Sequence, residues 1–182
     1  MQTIKPWLSL LAMVAAGALA GCSTMSTKAA DVSGSIGTSL DQAGLRDVSA
    51  RQDRDKGVVT LGGHVATDND KSQAESIARS IAGGLVVANE IAVLPRGAES
   101  DARKVNLDLD KGILSNLDAA LIENRLREGI KYAVKNQVVT LSGNVDSQSK
   151  RARAEKVASD VVNVEQVVNE LQVRGQRASE SN

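Results

Sequence analysis

Lys150, Arg151, Arg153 and Lys156 stand close together in the stretch SKRARAEK. Ser147 ahead of them and the apolar spacing behind them place this cluster at the opening of a helix. A helix start already carries partial positive charge, so each added cation costs roughly 0.3–1 kcal/mol at a surface. Free amides with extra cations suit a bound anion, and a basic amphipathic helix suits a membrane surface. The other reading is a solvated helix face, partly neutralised by Glu155 and Asp160. Catalytic constellations are harder to assemble. His64 is the single histidine and Cys22 the single cysteine, so a multi-histidine metal site is excluded. His64 reads as a surface polar residue. The pairs Asp53/Asp55 and Asp108/Asp110 fall in turns or linkers, where solvated charge is the default. Gly34-Ser35-Ile36-Gly37 lacks the following lysine and the preceding strand of a P-loop, and no G-x-S-x-G elbow occurs. The expectation is a protein that is not an enzyme and holds no metal or cofactor.

Cys22 has a different chemistry in prospect. The chain opens MQTIKPWLSLLAMVAAGALAGC: a positive start at Lys5, an apolar run from Trp7, then small residues. That order is the pattern of a secretory signal peptide, and the run falls short of the roughly 20 apolar residues of a membrane span. Leu19-Ala20-Gly21-Cys22 resembles the bacterial lipobox. The resemblance implies a diacylglyceryl group on the Cys22 thiol, cleavage before it and acylation of the new amine. Three acyl chains exceed the two signals a stable anchor needs. Ser23 follows, where Asp would resemble an inner-membrane retention signal, so an outer-membrane anchor facing the periplasm is expected. Residues 1–21 are then the signal peptide, 22–30 a lipidated tether and 175–182 a disordered tail.

The elements that position these residues come in duplicate. Residues 57–65 read GVVTLGGHV and residues 137–145 read QVVTLSGNV, an offset of 80. Ala74-Glu75 and Ala78 recur as Ala154-Glu155 and Ala158. Val87, Asn89-Glu90, Ile91 and Val93 recur as Val167, Asn169-Glu170, Leu171 and Val173. In each copy a β-branched run predicts a strand ending near Gly63 or Gly143. Ala74, Ile77, Ala78 and Ile81 share one helix face, as do Ala154, Val157, Ala158 and Val161. Strands over residues 86–93 and 167–173 close the copies. A preceding strand and helix complete each, with Val32, Ile36 and Leu40 in the first helix and Ile113, Leu117, Ala120 and Leu121 in its counterpart. The prediction is an α+β chain of two tandem αββαβ units over residues 31–95 and 111–174, joined by a linker at 96–110. Each unit is a three-stranded mixed sheet with two helices on one face. Asn89 and Asn169 share the parity of apolar strand neighbours, which predicts amides that satisfy local backbone at a bulge.

This unit, with its VVTLxG hairpin, A-E-x-x-A helix and V-x-N-E-x-x-V strand, resembles the BON domain. Two copies behind a lipobox look like the dual-BON outer-membrane lipoproteins of Gram-negative bacteria. The resemblance implies binding of anionic phospholipid through the second unit and a part in envelope integrity; related proteins without an anchor are periplasmic and stress-induced. The lipid-binding relative is expected to insert aromatics beside its charges, whereas Tyr132 is the only aromatic beyond Trp7. Binding would then be shallow, electrostatic and salt-sensitive.

Charge patterning adds detail. The chain has 22 basic and 22 acidic residues, which argues against a nucleic-acid binder. Residues 31–95 hold six basic and nine acidic residues; residues 101–175 hold twelve and eleven. The helix of the first copy opens TDND, with acids that suit its dipole, where the second has Lys150 and its neighbours. The leading expectation is a lipid-anchored envelope protein that contacts anionic headgroups through Lys150, Arg151, Arg153 and Lys156. The alternative is a protein-interaction or chaperone-like adaptor in outer-membrane assembly, with envelope-assembly proteins as partners.

Overall fold

A computed structural model of the chain describes residues 28–174. The expected signal peptide, Cys22, most of the tether and the tail lie outside the described residues. The first unit runs α1 (Ser33–Gln42), β1 (Val48–Asp53), β2 (Val58–Val65), α2 (Asp68–Ala82), β3 (Val86–Asn89) and β4 (Ala92–Val93). The second runs α3 (Glu99–Glu123), β5 (Ile130–Lys135), β6 (Val138–Val145), α4 (Gln148–Ser159), β7 (Gln166–Asn169) and β8 (Gln172–Val173). Both sheets are mixed and the fold is α+β, as the repeat predicts.

In unit 1, β1 pairs antiparallel with β2, while β3 and β4 both run parallel to β2 on its other side. Unit 2 repeats this with β5, β6, β7 and β8. The expected single closing strand is therefore broken in two, and its partner bends with it. Residues 58–61 of β2 pair with β3 and residues 64–65 with β4. Contrary to expectation, β2 does not end at Gly63 but continues through it. Gly63 has φ 103°, and a Cβ there would lie 2.0 Å from the Asp47 carbonyl oxygen. Gly143 repeats this at φ 112° and 2.3 Å from the Gly129 carbonyl. Only glycine permits so close an approach.

The break in the closing strand explains the two asparagines. The Asn89 side chain accepts from the Ile91 N–H within the gap and donates to Glu75 of α2 at 2.9 Å. Asn169 does the same with the Leu171 N–H and with Glu155 of α4 at 2.8 Å. The Glu of A-E-x-x-A and the Asn of V-x-N-E are thus two halves of one contact. That contact clamps the second helix of each unit to the broken strand.

Each unit has its own core between helices and sheet. Ile36 and Leu40 of α1 meet Val59, Leu61, Val87 and Ile91 beneath Ala74 and Ala78 of α2. Ile113, Leu117 and Leu121 of α3 meet Val139, Leu141 and Leu171 beneath Ala154 and Ala158 of α4. The alanines let the second helix lie close to the sheet. A smaller cluster of Val58, Ala88, Val138 and Val168 joins the opposite faces of the two sheets.

One asymmetry between the copies and one departure from the sequence reading matter for function. The offset of 80 holds from β2 onward but not before it. A four-residue loop links β1 to β2, whereas Asn136 and Gln137 alone link β5 to β6. Both residues sit at positive φ, 46° and 66°, as a tight two-residue hairpin requires. The expected linker at 96–110 is also mostly helical. Helix α3 starts at Glu99 and is 25 residues long, which spans roughly 37 Å. Stepping back by fours from Ile113 reaches Leu109 and Val105, and no proline or glycine interrupts residues 98–111. The helical pattern therefore continues upstream of the core-facing residues. Asp110 in its middle accepts from the Asn136 and Gln137 amides, both at 2.8 Å, and so caps the β5–β6 turn.

Candidate functional site

Helix α4 carries the four cations singled out by type and spacing, and the fold separates them. Ser147 caps the helix, its hydroxyl accepting from the Lys150 N–H at 3.2 Å, as Thr67 caps α2 through the Asp70 N–H. The four side chains then go different ways. Arg151 turns inward, donating to the Leu171 carbonyl at 3.0 Å and to the Asn169 carbonyl at 2.9 Å. It braces the break between β7 and β8. Lys150 is only 20% exposed and lies 3.7 Å from Asp146. Arg153 is exposed and reaches the Asn124 carbonyl at the end of α3, at 3.4 Å. Lys156 is 75% exposed and pairs with Asp160 at 2.9 Å. Arg153 and Lys156 therefore face solvent on one side of the helix, and Arg151 does not join them.

A second feature lies beside them. Six large apolar side chains are exposed among the described residues: Val86, Val105, Leu107, Leu114, Ile122 and Val162. All but Val86 belong to α3 or to the loop after α4. Along α3, Lys104, Leu107, Lys111, Leu114, Asp118 and Ile122 follow one another at steps of three or four, so they share a face. That face is outward, since Ile113, Leu117 and Leu121 take the core side. Between α3 and α4 runs an open groove of about 370 Å³, lined by Asn116, Ala120, Asn124, Val157, Asp160, Val161 and Val162. The outer layer of unit 2 thus mixes apolar side chains with lysine and arginine. The sequence reading missed Lys104, Val105 and Leu107 because it assigned residues 96–110 to a linker, and it read the rest of α3 only for its core side.

Tyr132 meets this same outward face of α3 at Asp118. Its hydroxyl donates to Asp118, which also accepts from Arg127 at 2.8 Å. The Arg127 guanidinium stands 5.0 Å from the ring centroid. Burial, then the Asp118 contact, push the Tyr132 hydroxyl up from its ordinary range. The Tyr132 and Arg127 hydrogen bonds hold Asp118 below the usual carboxylate range. These groups satisfy one another and fix α3 on β5.

His64 is exposed on β2, its N–H donating to the Asp47 carbonyl. Asp53 caps its own hairpin through the Asp55 and Lys56 amides, both at 3.1 Å. Among the described residues no group of three or more His, Cys, Asp or Glu side chains is placed to hold a metal ion. No described helix is long and apolar enough to cross a membrane.

A tandem pair of small αββαβ units, each with a broken closing strand clamped to its second helix, defines the class. Comparison with protein families gives the particular assignment: residues 30–95 and 110–175 each match the BON domain, and the chain belongs to that family. It is 28% identical over 137 residues to the osmotically-inducible protein Y of Escherichia coli (strain K12), covering 74% of this chain and 67% of the relative. Two solved structures of CdsD, described as a structural protein of the type III secretion system of Chlamydia trachomatis, are also similar. One, its C-terminal domain, is 10% identical with a TM-score of 0.33 over 78% of this chain and 67% of that one. The other is 12% identical with a TM-score of 0.35 over 76% and 90%.

Proposed function

We propose that this protein is a non-catalytic envelope protein, held at the outer membrane by acyl chains on Cys22. In this reading the second BON unit rests on anionic phospholipid and supports the integrity of that membrane. The supporting observation is the outer layer of unit 2, where Leu107, Leu114 and Ile122 of α3 are exposed on one helix face with Lys104 and Lys111, and Arg153, Lys156 and Val162 are exposed on α4 and the loop after it. Juxtamembrane Lys and Arg are drawn to anionic headgroups by about 1 kcal/mol each. Exposed aliphatic side chains add shallow burial at the headgroup boundary. The headgroup set differs from the α4 cluster: Arg151 leaves it for the broken strand, and Lys104 and Lys111 of α3 join it. Lys150 stays at its margin, beside Asp146.

Co-sedimentation of the protein lacking residues 1–22 with liposomes tests this. Binding to phosphatidylglycerol-containing vesicles at low salt, absent with phosphatidylcholine alone, is the expected result. The variant Lys104→Glu/Lys111→Glu/Arg153→Glu/Lys156→Glu should lose it while keeping the native circular dichroism spectrum. Undiminished binding by that variant refutes the surface. The anchor is tested apart, by radiolabelled palmitate: wild type should incorporate it and Cys22→Ser should not.

A further inference from the structure

The junction between the two units is built differently from either core. Edge strands β3 and β7 approach each other, and what joins them is mostly charge. Lys56 from the β1–β2 loop reaches Glu170 at 2.7 Å. Lys71 of α2 reaches Glu165 at 2.7 Å. Lys135 of β5 reaches Glu90 at 2.8 Å. The Asn136 amide adds a hydrogen bond to the Glu90 carbonyl at 2.7 Å. The arrangement is nearly two-fold: each hairpin turn contacts the glutamate that follows the strand asparagine of the other unit. Val58, Ala88, Val138 and Val168 form a small buried apolar cluster between the sheets, and Ala102 and Val105 of α3 line a cleft with Val93 and Pro95.

One side chain seals the strand edge. The Gln166 amide accepts from the Asn89 N–H at 2.9 Å and donates to the Val87 carbonyl at 2.7 Å. It satisfies the outward groups of β3 as a neighbouring strand would. The repeat position in unit 1 is Val86, which has no such groups and is 47% exposed. An unsealed strand edge is a template for pairing with another chain.

We infer that the junction is a clasp that ionic strength opens, releasing the β3 edge from Gln166 while both units stay folded. Each pair has one partner exposed by 40–54%, and through that exposed partner it weakens as the screening length falls from about 10 Å at 0.1 M salt to about 3 Å at 1 M. The cores, made of aliphatic side chains, do not weaken in that way. The covalent connection after Leu94 passes through Pro95, Arg96 and Gly97, the last at φ 82°, before α3 begins. That turn is the point about which the units part. This inference concerns the junction and is independent of lipid binding.

The Asn89 amide reports directly on the clasp. Its hydrogen exchange is followed by NMR in the full chain in detergent, at 20 mM and 1 M NaCl, with Leu61 and Leu141 as amides inside each unit. Exchange at Asn89 should rise by about fivefold or more as three pairs weaken, while Leu61 and Leu141 change little. Sucrose at the osmolality of 1 M NaCl should leave Asn89 protected. The variant Lys56→Met/Lys71→Met/Lys135→Met should exchange fast at both salt concentrations. The swap Lys56→Glu/Glu170→Lys should restore protection relative to Lys56→Glu alone. Salt-independent exchange at Asn89, an equal rise at Leu61 and Leu141, or the same response to sucrose overturns the inference. So does a swap that fails to recover protection.

Discussion

Lys71 and Arg151 occupy the same place in the repeat, and their cations do opposite work. Lys71 extends from α2 to Glu165 of the second unit, so its charge holds the junction. Arg151 folds back from α4 onto the Asn169 and Leu171 carbonyls of its own sheet. The planar guanidinium reaches two carbonyls at once, which a lysine ammonium on a flexible stem does less well. A position that reads as conserved charge in the repeat is therefore a surface tie in one unit and an internal brace in the other. The glycine kinks and the Asn–Glu contacts, by contrast, are the same in both. The lesson is that backbone-dictated features recur between the units, while side chains reaching outward are free to diverge.

The largest test of that comparison concerns the shared part. Gly63→Ala places a Cβ against the Asp47 carbonyl and should destabilise unit 1 by about 4 kcal/mol. Gly143→Ala should cost somewhat less, following the slightly longer 2.3 Å approach. Urea denaturation followed by circular dichroism measures both, and equal tolerance of alanine at the two sites would break the comparison.

The divergent part comes next. Arg151→Met removes two charge-assisted hydrogen bonds to backbone and should cost about 2 kcal/mol. Lys71→Met removes one ion pair across the junction and should cost less than about 1 kcal/mol. Thermal melts of the two variants, made in parallel, rank them. A smaller effect at Arg151 than at Lys71 would reverse the assignment of brace and tie. Asp110→Ala uncaps the β5–β6 turn and should cost about 1 kcal/mol, seen as faster exchange of the Asn136 and Gln137 amides.

The smallest effect depends on pH. Glu75 is affected first by burial, which raises its pKa, but the Asn89 and Arg79 hydrogen bonds outweigh that and hold it below the ordinary 4.5. A carboxylate depressed in the folded state stabilises it above the unfolded pKa, and that contribution is lost as pH falls through the folded value. Unit 1 should therefore lose stability on acidification below about pH 4.5. Glu75→Gln should flatten that slope when unfolding is measured from pH 6 to pH 3.

Much of this was legible in the residues. The repeat, the core faces of the helices and the local backbone contact of Asn89 and Asn169 follow from period and parity, because both copies obey the same backbone rules; their contacts to Glu75 and Glu155 do not. The α4 cations were visible as a group but not as individuals. Which way Arg151 turns depends on carbonyls freed by a break in a strand about 20 residues away, and local spacing contains no record of that. The extent of α3 was written in Val105, Leu109 and Ile113, yet Asp108 and Asp110 gave the segment the look of a linker. Asp110 is polar because it caps a turn that lies next to the helix only after folding.

Helix α3 also decides where the chain can be divided. The BON match for the second copy starts at residue 110, in the middle of a continuous helix. A fragment begun at residue 111 would lose the Asp110 cap and half of its longest helix. A fragment begun at residue 98 would keep every contact internal to unit 2. The exposed Arg96, between Pro95 and Gly97, offers trypsin a bond outside any helix or strand. Limited proteolysis there would yield two pieces that each retain all of their own elements, and would show whether either BON unit stands alone.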